Sequence, residues 1–362
     1  MDLIRVGAHG EDVRDVQHRL LGVGLRVDPE ELEGTFGPST AAAVGEFQRR
    51  RGLPADGIVG PDTWNQLVEA GYRVGDRTLY LRSPAFRGDD VRELQRMLNA
   101  LGFDAGKQDG IFGPRVTKAA RDFQRNSGAK VDGIVGLDTV RSLQGMRPLA
   151  EGASRAMVRE EEAARRMGAT LARSLIAIDP GHGPIDPGEQ ANGVVESDVT
   201  FAVATALAEE ILRRGGRSIL LRRADEDPDV SVRAQRANAA DATACVSIHL
   251  GGGRIVPLGA VSCYFGSPQT HSPMGVHLAE TLREALLAAG MPDGGIRALT
   301  IAILRETRMP AVQVELAVIA DAGEAERVRH PSFAIDVASA LADGLDRYLG
   351  ARAGGVAGVV PA

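Results

Sequence analysis

Ile176-Ala-Ile-Asp-Pro-Gly-His182 is a short β-branched apolar run that breaks at Asp-Pro-Gly and ends on an imidazole. Two later stretches have the same form, Ala244-Cys-Val-Ser-Ile-His249 and Val312-Gln-Val-Glu315. Apolar runs of this length read as strands buried on both faces, which is how parallel sheets are built. Open α/β sheets carry their chemistry just beyond the carboxyl ends of such strands. His182, His249 and Glu315 are therefore expected along one edge of one sheet.

The intervening sequence supplies the other layers. Glu196-Ser-Asp-Val starts a helix to about Arg214, with Phe201, Ala204, Leu207, Ala208 and Ile211 as its apolar stripe and Gly215-Gly216 as its end. Ser218-Ile-Leu-Leu221 reads as a strand, followed by a polar segment containing Arg222, Asp225 and Asp227. A helix over Val232 to Ala240 then leads into the His249 run. This succession predicts an α/β fold, a three-layer αβα domain with a largely parallel sheet.

Glu196, where a loop enters a helix, joins the two histidines as a third ligand candidate. Two imidazoles and one carboxylate leave a coordination position open, which is what a catalytic Zn2+ needs to acidify water. His182, Glu196 and His249 are the expected ligands, and Glu315 is left as a carboxylate able to move a proton. Asp179 and Asp186 are read as shaping the Asp-Pro turns. His9, His18, His277 and His330 are read as surface or packing residues, with His271 as an outside candidate near the cleft.

The N-terminal half is an internal repeat. Gly10-Glu-Asp-Val-Arg-Asp-Val-Gln17 recurs as Gly88-Asp-Asp-Val-Arg-Glu-Leu-Gln95, Gly34-Thr-Phe-Gly-Pro38 as Gly110-Ile-Phe-Gly-Pro114, Phe47-Gln48 as Phe123-Gln124, and Asp56-Gly-Ile-Val-Gly60 as Asp132-Gly-Ile-Val-Gly136. The offset is 78 at Gly10 and 76 from Gly34 onward, so the first copy holds two extra residues near Asp28-Pro29. In each copy a helix carrying Val13, Val16, Gln17 and Leu20 is followed by a Phe-Gly-Pro turn and a second helix, Ser39 to Arg50 in copy one. An Asp-Gly-Ile-Val-Gly turn and a third helix capped by Asp62 complete the unit. Both copies resemble the type 1 peptidoglycan-binding domain nearly end to end. That resemblance implies a binding module without chemistry of its own, although the Asp-Gly and Phe-Gly-Pro blocks also read as turn chemistry alone.

The expected domains are 1–72 and 80–147 for the two modules, 148–173 for a charged linker helix, 174–349 for the sheet domain and 350–362 for a disordered tail. In the linker, Glu161–Arg165 and Glu162–Arg166 are helix-stabilising pairs. A formal net charge of −6 and 4% aromatic residues in 362 give nucleic acid nothing to bind. No apolar run reaches the roughly 20 residues of a transmembrane helix, and Met1-Asp-Leu-Ile-Arg-Val-Gly7 is not a signal peptide. A cytoplasmic location is the expectation, or an extracellular or cell-wall one if a leader has been removed. Cys245 and Cys263 read as buried free thiols.

Roughly residues 175–348 resemble the zinc-dependent N-acetylmuramoyl-L-alanine amidases of the amidase 3 type. The motifs are Asp179-Pro-Gly-His-Gly183, Glu196, Arg222-Arg-Ala-Asp225, Arg233, Arg236-Ala-Asn238, Ser247-Ile-His249, Leu304-Arg-Glu-Thr307, Met309-Pro310 and Val314-Glu315. By that resemblance His182, Glu196 and His249 match metal ligands and Glu315 matches the catalytic acid/base. The implied reaction cleaves the amide between the lactyl group of N-acetylmuramic acid and L-alanine, in peptidoglycan or muropeptides. Three stretches depart from the family pattern: Gly183-Pro184, Leu250-Gly-Gly-Gly253 and Leu316-Ala-Val-Ile-Ala320. They are expected to alter the cleft walls rather than the ligands. Two modules ahead of an amidase domain also resemble the actinobacterial CwlM-type proteins. That implies an alternative, a cytoplasmic regulator that binds lipid-linked precursors or a precursor-synthesis enzyme without hydrolysing anything.

Overall fold

The computed structural model describes residues 3–146, 170–251, 258–267 and 270–353. The chain forms two compact units, Met1–Glu160 and Glu161–Ala362.

The first unit is the repeat written as structure. Copy one contains α1 (Glu11–Gly22), α2 (Pro38–Arg51) and α3 (Pro61–Glu69); copy two contains α4 (Asp89–Ala100), α5 (Pro114–Ser127) and α6 (Leu137–Gly145). Each copy has its own core, around Val16, Leu20, Phe36 and Phe47 in one and Leu94, Leu98, Phe112 and Phe123 in the other. Truncating one of these buried phenylalanines to alanine costs about 3–5 kcal/mol. Pro38, Pro61 and Pro114 occupy first helical turns, where no amide hydrogen is needed. The capping expectation for Asp62 is wrong. Gly60 is the N-cap and Asp62 lies inside the first turn, where its charge favours the helix dipole.

Four buried glutamines hold the turns. Gln48 Nε2 donates to Asp56 Oδ1, the Ile58 carbonyl and Thr63 Oγ1, while its Oε1 accepts from Gly57 N. Gln124 repeats that pattern on Asp132, Ile134, Thr139 and Gly133. Gln95 does the same for the first turn of copy two, and Gln17 holds that of copy one by donating to the Glu31 and Thr35 carbonyls. Asp56 and Asp132 are also bonded by the amides two residues ahead, so the Asp-Gly blocks act as turn chemistry. The extra residues of copy one bring the Glu31 carboxylate onto the start of α2, where it accepts from Gly37 N, Ser39 N, Thr40 N and Thr40 Oγ1. At offset 76 the second copy has Lys107 there instead.

The second unit is the expected three-layer fold. Its strands are β1 (Leu175–Pro180), β2 (Gln190–Ala191), β3 (Val194–Val195), β4 (Arg217–Leu220), β5 (Ala244–His249), β6 (Ala260–Ser267), β7 (Thr270–His271), β8 (Asp293–Leu299) and β9 (Ala311–Glu315). The main sheet has the order β4-β1-β5-β9-β6-β7, with β8 paired to β6. β4, β1, β5 and β9 are mutually parallel, whereas β6 runs antiparallel to β9. One face packs Ile176, Ile178, Val246, Ile248, Val312 and Val314 under α7 (Glu196–Arg213), α9 (Pro273–Ala288) and α12 (Phe333–Ala353). The other face carries α8 (Val230–Ala239) and α10 (Ala302–Glu306), joined where Asn238 Nδ2 donates to the Glu306 carbonyl. A short α11 (Ala322–Arg329) precedes the last helix.

The expected linker helix, 148–173, lies outside the described residues as far as 169, and Leu171–Arg173 form a 3-10 turn. Two expectations change. The tail starts later than expected, because α12 continues through Ala353; 354–362 lie outside the described residues. His271 is not near the cleft. Register places Val261 opposite Glu315 and Gly266 opposite His271, so the reversed β6 carries His271 some five residues, or ~16 Å, toward the far end of the sheet. Cys245 and Cys263 are buried thiols.

Candidate metal centre

His182, Glu196 and His249 meet where the parallel strands end. β1 delivers Asp179-Pro180 and then Gly181, whose amide donates to the Ile248 carbonyl and continues the ladder for one more residue. A Cβ at Gly181 would lie 2.5 Å from the His249 ring, so only glycine lets the two chains approach this closely. His182 follows with φ of 58°, a left-handed conformation that turns the imidazole back over the sheet edge. β5 ends on His249, directly in register with Glu315 at the end of β9. Glu196 is the first residue of α7, where the helix dipole favours a carboxylate.

Glu196 Oε1 lies 3.3 Å from His182 Nε2 and 3.1 Å from His249 Nδ1. The candidate ligand atoms of the three residues all fall within 4.8 Å of one another. Ligands about 2.1 Å from a tetrahedral ion stand roughly 3.4 Å apart, so the observed spacing needs little adjustment to hold zinc. Glu315 adjoins this trio without belonging to it.

The trio is supported from several sides. Asp186 Oδ2 is 2.8 Å from His182 Nδ1, leaving Nε2 to face Glu196, the usual outer partner of a ligating imidazole. Asp227 Oδ2 accepts from Ile185 N and Asp186 N and so pins the loop that carries Asp186. Glu196 Oε1 also accepts from Leu250 N, and Oε2 from Glu189 N. Fully buried Arg222 donates to the carbonyls of Pro180, Gly181 and Ser197. Arg233 pairs with buried Asp179, which also accepts from Ser247 Oγ. Burial alone would raise the Glu196 pKa, but hydrogen bonds from His182 and His249 outweigh it and hold the carboxyl well below the usual range. Burial opposes a charged His182, yet Glu196 and then Asp186 push its pKa up to about 9. Both directions describe an acidic pocket ready for a cation.

Several sequence readings are corrected here. Asp179 is a strand residue that anchors Arg233 rather than a turn-former. Asp186 does bond Gly188 N, but its main partner is the His182 ring. The Leu316-to-Ile319 run is buried in the core rather than lining a cleft, and the Leu250 amide touches Glu196 itself. Of Leu250-Gly-Gly-Gly253, the last two residues lie outside the described residues. Asp186, Asp227 and Gln313 were missed as supporting residues. The one available signal was a polar residue two positions before Glu315 in an apolar strand.

A family model described as N-acetylmuramoyl-L-alanine amidase matches residues 176–347, and a peptidoglycan binding domain model matches 9–67 and 87–143. N-acetylmuramoyl-L-alanine amidase CwlM of Mycobacterium tuberculosis is 36% identical over 335 residues, covering 88% of this chain and 82% of that protein. N-acetylmuramoyl-L-alanine amidase CwlL of Bacillus licheniformis is 32% identical over 162 residues, covering 39% of this chain and 45% of its own. The solved structure of N-acetylmuramoyl-L-alanine amidase AmiC2 of Nostoc punctiforme is 28% identical, covers 50% of this chain and 99% of its own, and superposes with a TM-score of 0.45.

Proposed function

Because the chain belongs to the N-acetylmuramoyl-L-alanine amidase family, we propose that it is a zinc-dependent amidohydrolase cleaving the lactyl–L-alanine amide of peptidoglycan or muropeptides. The observation that carries this reading is the spacing of one glutamate oxygen, 3.3 and 3.1 Å from the nitrogens of two histidines. His182 through Nε2, His249 through Nδ1 and Glu196 through its carboxylate would hold the ion. A bound zinc supplies a Lewis acid that polarises the scissile carbonyl and lowers the pKa of water. Glu315, one strand over from His249, takes the proton of the attacking water and delivers it to the L-alanine nitrogen as the C–N bond breaks. Asp186 fixes the His182 ring, and Arg222 fixes the backbone from which that ring projects. The tandem modules would supply affinity for the glycan or stem peptide.

One observation favours a second reading. Withdrawal from water pushes the Glu315 pKa up, with His249 pulling the other way. A raised pKa works against the ionised form that accepts the water's proton. The protein would then be a cytoplasmic, non-hydrolysing regulator that holds lipid-linked precursors or a precursor-synthesis enzyme. Zinc content followed by release of stem peptide from purified muropeptide, comparing wild type with Glu315→Ala, tests both. Zinc present with release that Glu315→Ala abolishes supports the amidase; zinc present without release supports the regulator. Fractionation of the native protein tests its location.

A further inference from the structure

Gln313 stands out because nothing in packing calls for it. β9 alternates, with Val312 and Val314 entering the apolar core, so Ala311, Gln313 and Glu315 share the opposite face. On that face Gln313 lies in register with Ser247 on β5 and Cys263 on β6, and is itself buried. An apolar residue would fill such a central position, and an amide left unpaired there costs about 1–3 kcal/mol. Its neighbours do not take the hydrogen bond. Ser247 donates instead to Asp179, which Arg233 also holds, and Cys263 is a buried thiol. The Gln313 Nε2 donates to Glu315 Oε1 at 2.6 Å.

We infer that Gln313 is a positioning residue: its side-chain amide fixes the rotation of the Glu315 carboxylate, committing Oε1 and leaving Oε2 as the oxygen that handles the proton. The inference rests on the amidase reading. A carboxylate on a strand end rotates freely about its last bond unless something holds one oxygen, and a base out of line by that rotation loses its advantage. The residue two positions earlier on the same strand face is the nearest place from which a side chain can do this without approaching the ligands. Glutamine has the reach and supplies a donor without adding a charge beside Glu196 and Glu315.

The test uses the zinc-loaded full chain with Glu315→Ala, Gln313→Leu, Gln313→Glu and, as a packing control in the same row, Cys263→Ala. Stem-peptide release, zinc content, thermal midpoint and affinity for acetohydroxamate are measured on each. Acetohydroxamate chelates zinc and gives its acidic proton to a neighbouring carboxylate, so it reads the orientation of Glu315 without turnover. Gln313→Leu and Gln313→Glu are expected to lower kcat about 10- to 100-fold with KM and zinc content unchanged. Both should weaken acetohydroxamate by a similar factor, in the direction of Glu315→Ala, and Cys263→Ala should leave kcat and that affinity alone. Equal losses in Cys263→Ala and Gln313→Leu would assign the effect to packing and overturn the inference. Full or increased kcat and full acetohydroxamate affinity in Gln313→Leu, with both lost in Glu315→Ala, would overturn it while leaving the amidase reading intact. If wild type releases no peptide, the amidase reading fails and the acetohydroxamate affinities alone decide for or against Gln313.

Discussion

Gln48 in the first unit and Gln313 in the second are both glutamines buried in an apolar setting, yet they serve different ends. Gln48 spends its whole amide on a turn ten residues downstream, and its counterpart Gln124 does the same in the other copy. Gln313 spends its donor on a carboxylate beside three converging metal-capable groups. The contrast extends to the units. The buried glutamines of the repeats close on nearby turns, whereas Arg222, Arg233, Glu196 and Asp186 each bond a ring or a stretch of chain that converges on a single point. A buried polar residue therefore signals function only when its chain of partners ends on a group with unused bonding capacity.

The largest expected effect tests the second half of that contrast. Glu315→Ala should lower kcat for stem-peptide release about 10²- to 10⁴-fold while zinc content, by metal analysis, and thermal midpoint stay put. A large loss of stability instead would make Glu315 structural, like Gln48. Next in size is a pH effect. With the His182 pKa near 9, zinc must displace a proton at neutral pH, so its affinity should rise about tenfold per pH unit from 7 to 9 and then level off, measured by competition with a chromophoric chelator. In zinc-free protein the sign reverses. The same proton stabilises the fold fully below about pH 6.5, and that contribution fades as pH climbs through 9. Asp186→Asn should weaken zinc about 10- to 100-fold in the same competition.

Two smaller effects probe the repeats. Gln48→Leu strands the Gly57 amide and should cost about 1–3 kcal/mol, read by hydrogen exchange within residues 3–67, with zinc affinity untouched. Glu31 holds the start of α2, and the bonds from Thr40, Ser39 and Gly37 outweigh its burial to keep its pKa low. Stability that depends on a depressed carboxylate is present above its ordinary pKa and lost on acidification. Exchange at the start of α2 should therefore quicken below about pH 4.5, a response flattened by Glu31→Gln.

The strand runs ending on His182, His249 and Glu315 were legible because period and composition mark buried parallel strands, and the sheet edge then follows from topology. The repeats were legible because turn residues recur in register. Strand direction was not. Nothing in Ala260–Ser267 says that it runs antiparallel to β9, and so His271 was placed at the wrong end of the sheet. The bracing residues were hidden for a related reason. Asp186 and Asp227 act through a loop whose path depends on a left-handed His182, a conformation that no pattern of apolar residues encodes. Gln313 was visible as an oddity, but its partner lies two residues along the same strand, where only the side-chain directions give it meaning.

Arg222 has one more consequence. With its guanidinium shut inside and fastened to four main-chain carbonyls, the cradle owes its shape to the polypeptide and not to whatever sits in it. A chelator should thus empty and refill the centre repeatedly without melting the surrounding domain, the behaviour of a socket rather than a rivet.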